Sequence, residues 1–271
     1  MKKILLAVIS VIAFLSVGAN AQTVFIPQPP VVYIPLLDPS RMHIQNQVFR
    51  NTINNPLPKG GAKNSKTTAK AAVDYTMYKP RQENYLPKLL SQAGKGNAAE
   101  KSETEQFFNT LIANYKQGAP HHELPKNDLA YGILHFILVN YEVYYDLYNV
   151  PVEKDPWAKR AKDGFERIAL LNQKKSRLTT TEEDRAMYYQ FKETLSAKPE
   201  FRKMTDEEKQ KMTETLVIMA GIVDAGYLKA IDAEDEQLIK QAHEMAKGNL
   251  EKLLGVPIDR IKINLSGLQL Q

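Results

Sequence analysis

The chain has 271 residues, a net charge of +5 and no cysteine. Without cysteine there are no disulfides, thiolate metal centres, iron–sulfur clusters or cysteine nucleophile, so stability has to come from apolar burial. The length suits one or two domains.

Lys2 and Lys3 precede an apolar run over 4–17, followed by Ala19-Asn20-Ala21. A positive start, a short apolar stretch and small residues at the cleavage positions are the pattern of a secretory signal peptide, here 1–21. The run is short for a membrane span, which needs ~20 apolar residues. No cysteine follows it, so lipoprotein anchoring is excluded. The expectation is an exported protein, periplasmic or extracellular, with no membrane-spanning segment after cleavage.

Residues 22–74 form a distinct arm. Pro27, Pro29, Pro30, Pro35, Pro39, Pro56 and Pro58 rule out a regular helix or interior strand, because proline fixes φ and lacks a donor. Between these prolines lie Val24, Phe25, Ile26, Val31, Val32, Tyr33 and Ile34, more apolar than a solvated linker would be. A short helix is expected over 42–51. The 59–70 stretch carries Lys59, Lys63, Lys66 and Lys70 and no acid. Gly60 and Ser65-Lys66-Thr67 nearly match a phosphate-binding loop, but glycine is missing at position 65 and no buried strand leads in. Residues 22–100 hold ten Lys/Arg against four Asp/Glu, and residues 101–271 hold 24 against 27. A basic arm thus precedes a mildly acidic body. The four lysines are the candidate contact with lipid headgroups, a polyanionic glycan or an envelope protein. An exported protein whose aromatics are not interleaved with its basic run is a poor nucleic-acid binder.

The body, 75–271, reads as one all-α bundle of about six helices with a short terminal strand or extended tail. A helix is expected over 80–92. Ser102 and Glu105 form a capping box for the next, and Asn127 caps the apolar stretch 129–148. Asp155-Pro156 opens another helix, carrying Trp157, Ala161, Gly164, Ile168 and Leu171 at helical spacing. Thr180 with Glu183 and Thr205 with Glu208 are further capping boxes, and the last helix runs over 233–254 to Gly255. Ile261, Ile263 and Leu265 then alternate as in a strand.

The segments "YTMYKPRQENYLPKLL", "LPKNDLAYGILHFILVNYEVY" and "LLGVPIDRIKINLSGLQL" resemble an uncharacterised family of exported bacterial helical proteins, a domain of unknown function, over roughly 75–271. The resemblance implies an all-α domain in an exported protein and carries no activity.

Within 129–148, Asp128, His135, Glu142 and Asp146 fall within roughly 20° of one direction at about 100° per residue. That stripe reads as the solvated edge of a core helix rather than part of a membrane span, where such groups are costly. His135 and Glu142 are about 10.5 Å apart along the axis, too far to share a metal ion. No metal or cofactor is expected. Asn140 points the other way, into the apolar face, and must be hydrogen-bonded there. Asp224 lies on the inner side of its own helix. Two readings stand for these residues. They form a structural polar pair, or they are the polar end of a ligand pocket lined by Tyr141, Tyr144, Tyr145 and Tyr148. No serine lies in a nucleophile elbow. The leading expectation is a non-enzymatic protein that binds another protein or an anionic envelope polymer. The alternatives are a cell-wall glycan hydrolase using paired carboxylates and a carrier of a small apolar ligand.

Overall fold

The computed structural model describes residues 74–94, 96–119 and 123–271. The expected signal peptide, the Pro-rich arm up to residue 73 with the helix expected over 42–51, and Lys59, Lys63, Lys66 and Lys70 lie outside them.

Among the described residues the chain is mostly helical. Those residues form nine α-helices, two of them single turns, and a C-terminal two-stranded hairpin. They are α1 (Leu86–Ala93), α2 (Ala98–Gly118), α3 (Leu129–Tyr144), α4 (Pro156–Lys159), α5 (Gly164–Lys175), α6 (Thr181–Ala197), α7 (Pro199–Arg202), α8 (Asp206–Asp232) and α9 (Glu236–Leu254). Strands β1 (Ile261–Asn264) and β2 (Gly267–Leu270) close the chain.

Helix α3 is the middle of the core. Twelve of its sixteen residues are buried, and it packs against α8, α9 and α6. The close approach of α8 depends on Gly132, where a Cβ would lie 2.9 Å from Thr213 Cγ2. No helix among the described residues is long and apolar enough to cross a membrane. The apolar run at 129–148 is therefore spent on neighbouring helices.

Helix starts follow their capping chemistry. Thr180 with Glu183 and Thr205 with Glu208 make the expected reciprocal capping boxes. Two starts differ. Helix α2 begins four residues before the Ser102 position, because Asn97 and Glu100 already satisfy its first donors. Helix α3 is capped by Asp128, not Asn127. The helix expected from Asp155 onward is two, since the chain breaks after Lys159 and restarts with Asp163 as cap. The expected final helix at 233 starts instead after Asp235, and α8 runs on to Asp232. Helix α9 ends on Gly255 at φ 72°, a left-handed position that glycine adopts without penalty.

The expected single strand is a hairpin, with Ile261 opposite Leu270 and Asn264 opposite Gly267. Leu265 is in its turn and exposed. The hairpin docks on α6 through Gln190, whose side chain accepts from Leu268 N (2.8 Å) and donates to Leu268 O (2.9 Å), pairing as a strand would.

Candidate functional site

The C-terminal end of α3 converges with α4, α5, α8 and α9 on a cluster of buried charge. Helix α3 ends earlier than the sequence pattern suggests, at Tyr144. Leu147 N–H bonds Glu142 O (2.8 Å) and Asp146 N–H bonds Val143 O (3.2 Å). This is the Schellman arrangement, with Asp146 at φ 54° where glycine usually sits. A non-glycine residue there costs roughly 1–2 kcal/mol. The Asp146 side chain offsets the strain: Oδ1 accepts from Tyr227 Oη (3.0 Å) and His243 Nε2 (2.7 Å), and Oδ2 from Arg160 Nη2 (2.5 Å). Burial alone would raise the Asp146 carboxyl. The His243 hydrogen bond and charge, the Arg160 charge and the Tyr227 hydroxyl outweigh it and hold the group below its ordinary value. An ionised carboxylate only accepts, so the His243 tautomer in this contact carries its proton on Nε2.

Two more acids lie close in the chain or fold. Asp155 caps α4 by accepting from Trp157 N (2.9 Å), and its other oxygen pairs with Lys174 Nζ at 2.6 Å. Lys174 also donates to Tyr148 O (2.5 Å). Both members of this ion pair are buried. Asp224 accepts from Tyr148 Oη at 2.5 Å, and burial raises its carboxyl above the usual range although that hydrogen bond pulls the other way.

The structure separates the residues that the sequence reading grouped. Asn140 is fully buried and hydrogen-bonded, as expected, but its partners are Phe136 O (2.7 Å) and Asn249 Nδ2 (2.9 Å). It is not paired with Asp224, which is half-buried and held by Tyr148. Tyr141 and Tyr144 each lie with their rings 4.8 Å from that of Tyr145, and Tyr144 also meets His243 edge-on at 6.3 Å. The tyrosines pack on one another and on the core. A cavity of about 10 Å³ lies between α2 and α8, beside Tyr115 and Thr213. That space matches one water, not a small apolar ligand.

The expected solvated stripe is also corrected. Asp128 is 0 % exposed and Asp146 2 %. Residues 74–78 run over Asp128, where Thr76 Oγ1 (2.9 Å) and Tyr188 Oη (2.8 Å) donate to its carboxylate. Asp146 has left the helix. His135 is half-buried, with its ring edge-on to Tyr115 at 5.1 Å. Sequence reasoning missed His243 and Tyr227 because their contacts with Asp146 span 97 and 81 residues, and the Asp155–Lys174 pair because it depends on α5 folding back on α4. Asp155 was legible only as a cap. Among the described residues no group of His, Asp and Glu could hold a metal ion.

Above this cluster sits α5, which packs mainly on α4. Its one buried residue is Lys174. Phe165 is 89 % exposed and Ile168 62 %. The helix is thus fixed inward by an ion pair and turns its bulkiest apolar side chains to water, the reverse of a surface helix in a globular core.

A cysteine-free, mostly helical domain with an ionic cluster at one end and an outward apolar helix is what the geometry defines. The chain belongs to a family of unknown function, DUF6683, whose match spans residues 4–159 and 176–271. The unmatched residues 160–175 include all of α5. No curated protein and no solved structure matches the chain.

Proposed function

We propose that the protein is an exported, non-enzymatic binding module of the cell envelope. Export rests on the signal-peptide pattern at 1–21. The observation that carries the binding reading is the outward face of α5: a phenylalanine exposed to 89 % and an isoleucine to 62 % on a helix whose other side is held by a buried ion pair. Large exposed apolar side chains of this kind mark interaction surfaces. Val152 and Leu178, in the segments flanking α4 and α5, are exposed as well. The acids of the cluster support a scaffolding role. Asp146 has three donors, Asp155 a lysine and a backbone N–H, and Asp224 a short tyrosine bond. Carboxylates engaged in this way fix the loop after α3 and the seat of α5. The basic arm, with Lys59, Lys63, Lys66 and Lys70, supplies a second contact with an anionic envelope polymer.

Retention of the full-length protein on isolated cell envelopes tests this reading. Phe165→Ser/Ile168→Ser is expected to lower retention with an unchanged melting temperature, and Lys59, Lys63, Lys66 and Lys70 all →Gln to lower the salt-sensitive part. Turnover of a glycan abolished by changing one acidic residue would overturn it in favour of the hydrolase.

A further inference from the structure

The chemistry around α5 identifies the surface it fits. At about 100° per residue, Phe165, Ile168, Ala169, Asn172 and Lys175 share a side about 120° wide, and none of them is buried. Residues 159–177 carry seven Lys/Arg against two Asp/Glu, whereas the rest of 101–271 carries seventeen against twenty-five. The two acids are engaged at the helix start. Asp163 accepts Glu166 N–H and Glu166 accepts Lys162 N–H, where the helix dipole favours negative charge. Lys159, Arg160 and Lys174 are paired with Glu234, Asp146 and Asp155. Arg177 lies over the Tyr145 ring. Lys162 and Lys175 are exposed and have no acidic partner among the described residues, whereas Arg167, also exposed, stands on the side of Lys174, away from Phe165. The result is a pair of bulky apolar side chains with unpaired cations around them, on a body that is otherwise acidic.

We infer that α5 docks the protein on an anionic phospholipid bilayer surface. Phe165 and Ile168 enter the headgroup–acyl boundary, and Lys162 and Lys175 meet the phosphates. This rests on the binding reading above and names the partner of that same face. A lipid surface fits it better than a folded protein. A stable protein interface buries about 800 Å² per partner, and one face of a helix roughly 18 Å long with two bulky side chains offers little of that. A bilayer interface accepts apolar side chains singly and rewards neighbouring cations. Cations beside such side chains act on an anionic surface within a Debye length of ~8 Å.

Co-sedimentation of the full-length protein with vesicles is the test, using phosphatidylcholine alone and phosphatidylcholine:phosphatidylglycerol at roughly 7:3. Binding is expected on the anionic vesicles at least tenfold above the neutral ones. Phe165→Ser/Ile168→Ser should lower it at least tenfold, and Lys162→Gln/Lys175→Gln should reduce the preference for phosphatidylglycerol. The arm lysines remain in both variants, so arm binding does not mimic the result. Phe165→Trp reports insertion directly through a blue shift of its emission on anionic vesicles. Anionic-vesicle binding equal in wild type and the serine variant, or an absent blue shift, overturns the inference. If vesicles are not bound but envelope retention still depends on Phe165, the lipid assignment fails and the binding reading stands. If neither depends on Phe165, both fail.

Discussion

Asp146 Oδ1 lies 2.7 Å from His243 Nε2, and this one contact ties the turn that ends α3 to the middle of α9. Tyr227 brings α8 to the same oxygen and Arg160 brings the end of α4 to the other. Four elements are thus joined through a side chain whose backbone occupies a glycine-like position.

That double role separates two substitutions. Asp146→Gly keeps the left-handed turn and loses the carboxylate, leaving the buried Tyr227 hydroxyl unsatisfied at about 1–3 kcal/mol. Asp146→Ala loses the same bonds and adds the φ strain, so it is expected to be less stable than the glycine variant by about 1 kcal/mol. Urea melts of the pair check this. Equal stability would show that the turn carries no strain.

The depressed Asp146 carboxyl also sets a pH dependence. A group whose folded pKa lies below its unfolded value contributes stability that is full above the unfolded value, about 4, and is lost as pH falls through the folded one. The melting temperature of wild type relative to Asp146→Asn should therefore fall below about pH 4. Asp224 has the opposite sign. Its raised carboxyl contributes stability at low pH that is lost as pH rises. Asp224→Asn keeps an acceptor for Tyr148 and removes the charge, so it should be neutral or stabilising at pH 7.

Asn140 and Asn249 are expected to be coupled. Asn140→Leu strands the half-buried Asn249 amide and should cost about 1–3 kcal/mol. The double substitution with Asn249→Leu should cost less than the sum of the singles, by about 0.5–3 kcal/mol in a double-mutant cycle. Strict additivity would mean that the amide–amide bond contributes nothing.

Lys174→Met removes the cation from a buried pair and leaves Asp155 uncompensated, at a cost of about 3–5 kcal/mol. Because Lys174 is the one buried residue of α5, the loss should be local. Amide exchange in 164–175 should quicken before that of α3 changes. Simultaneous quickening in both would show that α5 unfolds only with the core.

On a wholly solvated stripe His135→Ala would be silent. With the half-buried imidazole set edge-on to Tyr115, its removal should instead cost about 0.5–1.5 kcal/mol, the scale of an aromatic contact, measured by urea melts.

Local chemistry was legible in the sequence wherever the partner lies within a few residues. The capping boxes at Thr180 and Thr205 are contacts between residues three apart, and the stop at Gly255 needs only that glycine's freedom of φ. The apolar run after Asp128 is long and continuous enough to require a buried helix, and Asn140 within it had to be hydrogen-bonded wherever its partner lay. The class of fold, mostly helical and stabilised without cysteine, follows from such patterns. Tertiary structure decided which polar residues meet. Helical angle placed Asp128 and Asp146 on one stripe, but the stripe is wet only if nothing covers it. Residues 74–78 cover the first, and the turn at φ 54° carries the second off the helix altogether. Angle likewise put Ile168 in register with Trp157, because a helical period does not reveal a break four residues into the helix. Once the chain restarts at Asp163, the face that period called inward turns to water. The Asp146–His243 contact spans 97 residues, and no local pattern selects one histidine for one aspartate across that distance. Burial selects it, since a carboxylate shut away from water is stable only where donors from other helices arrive with it.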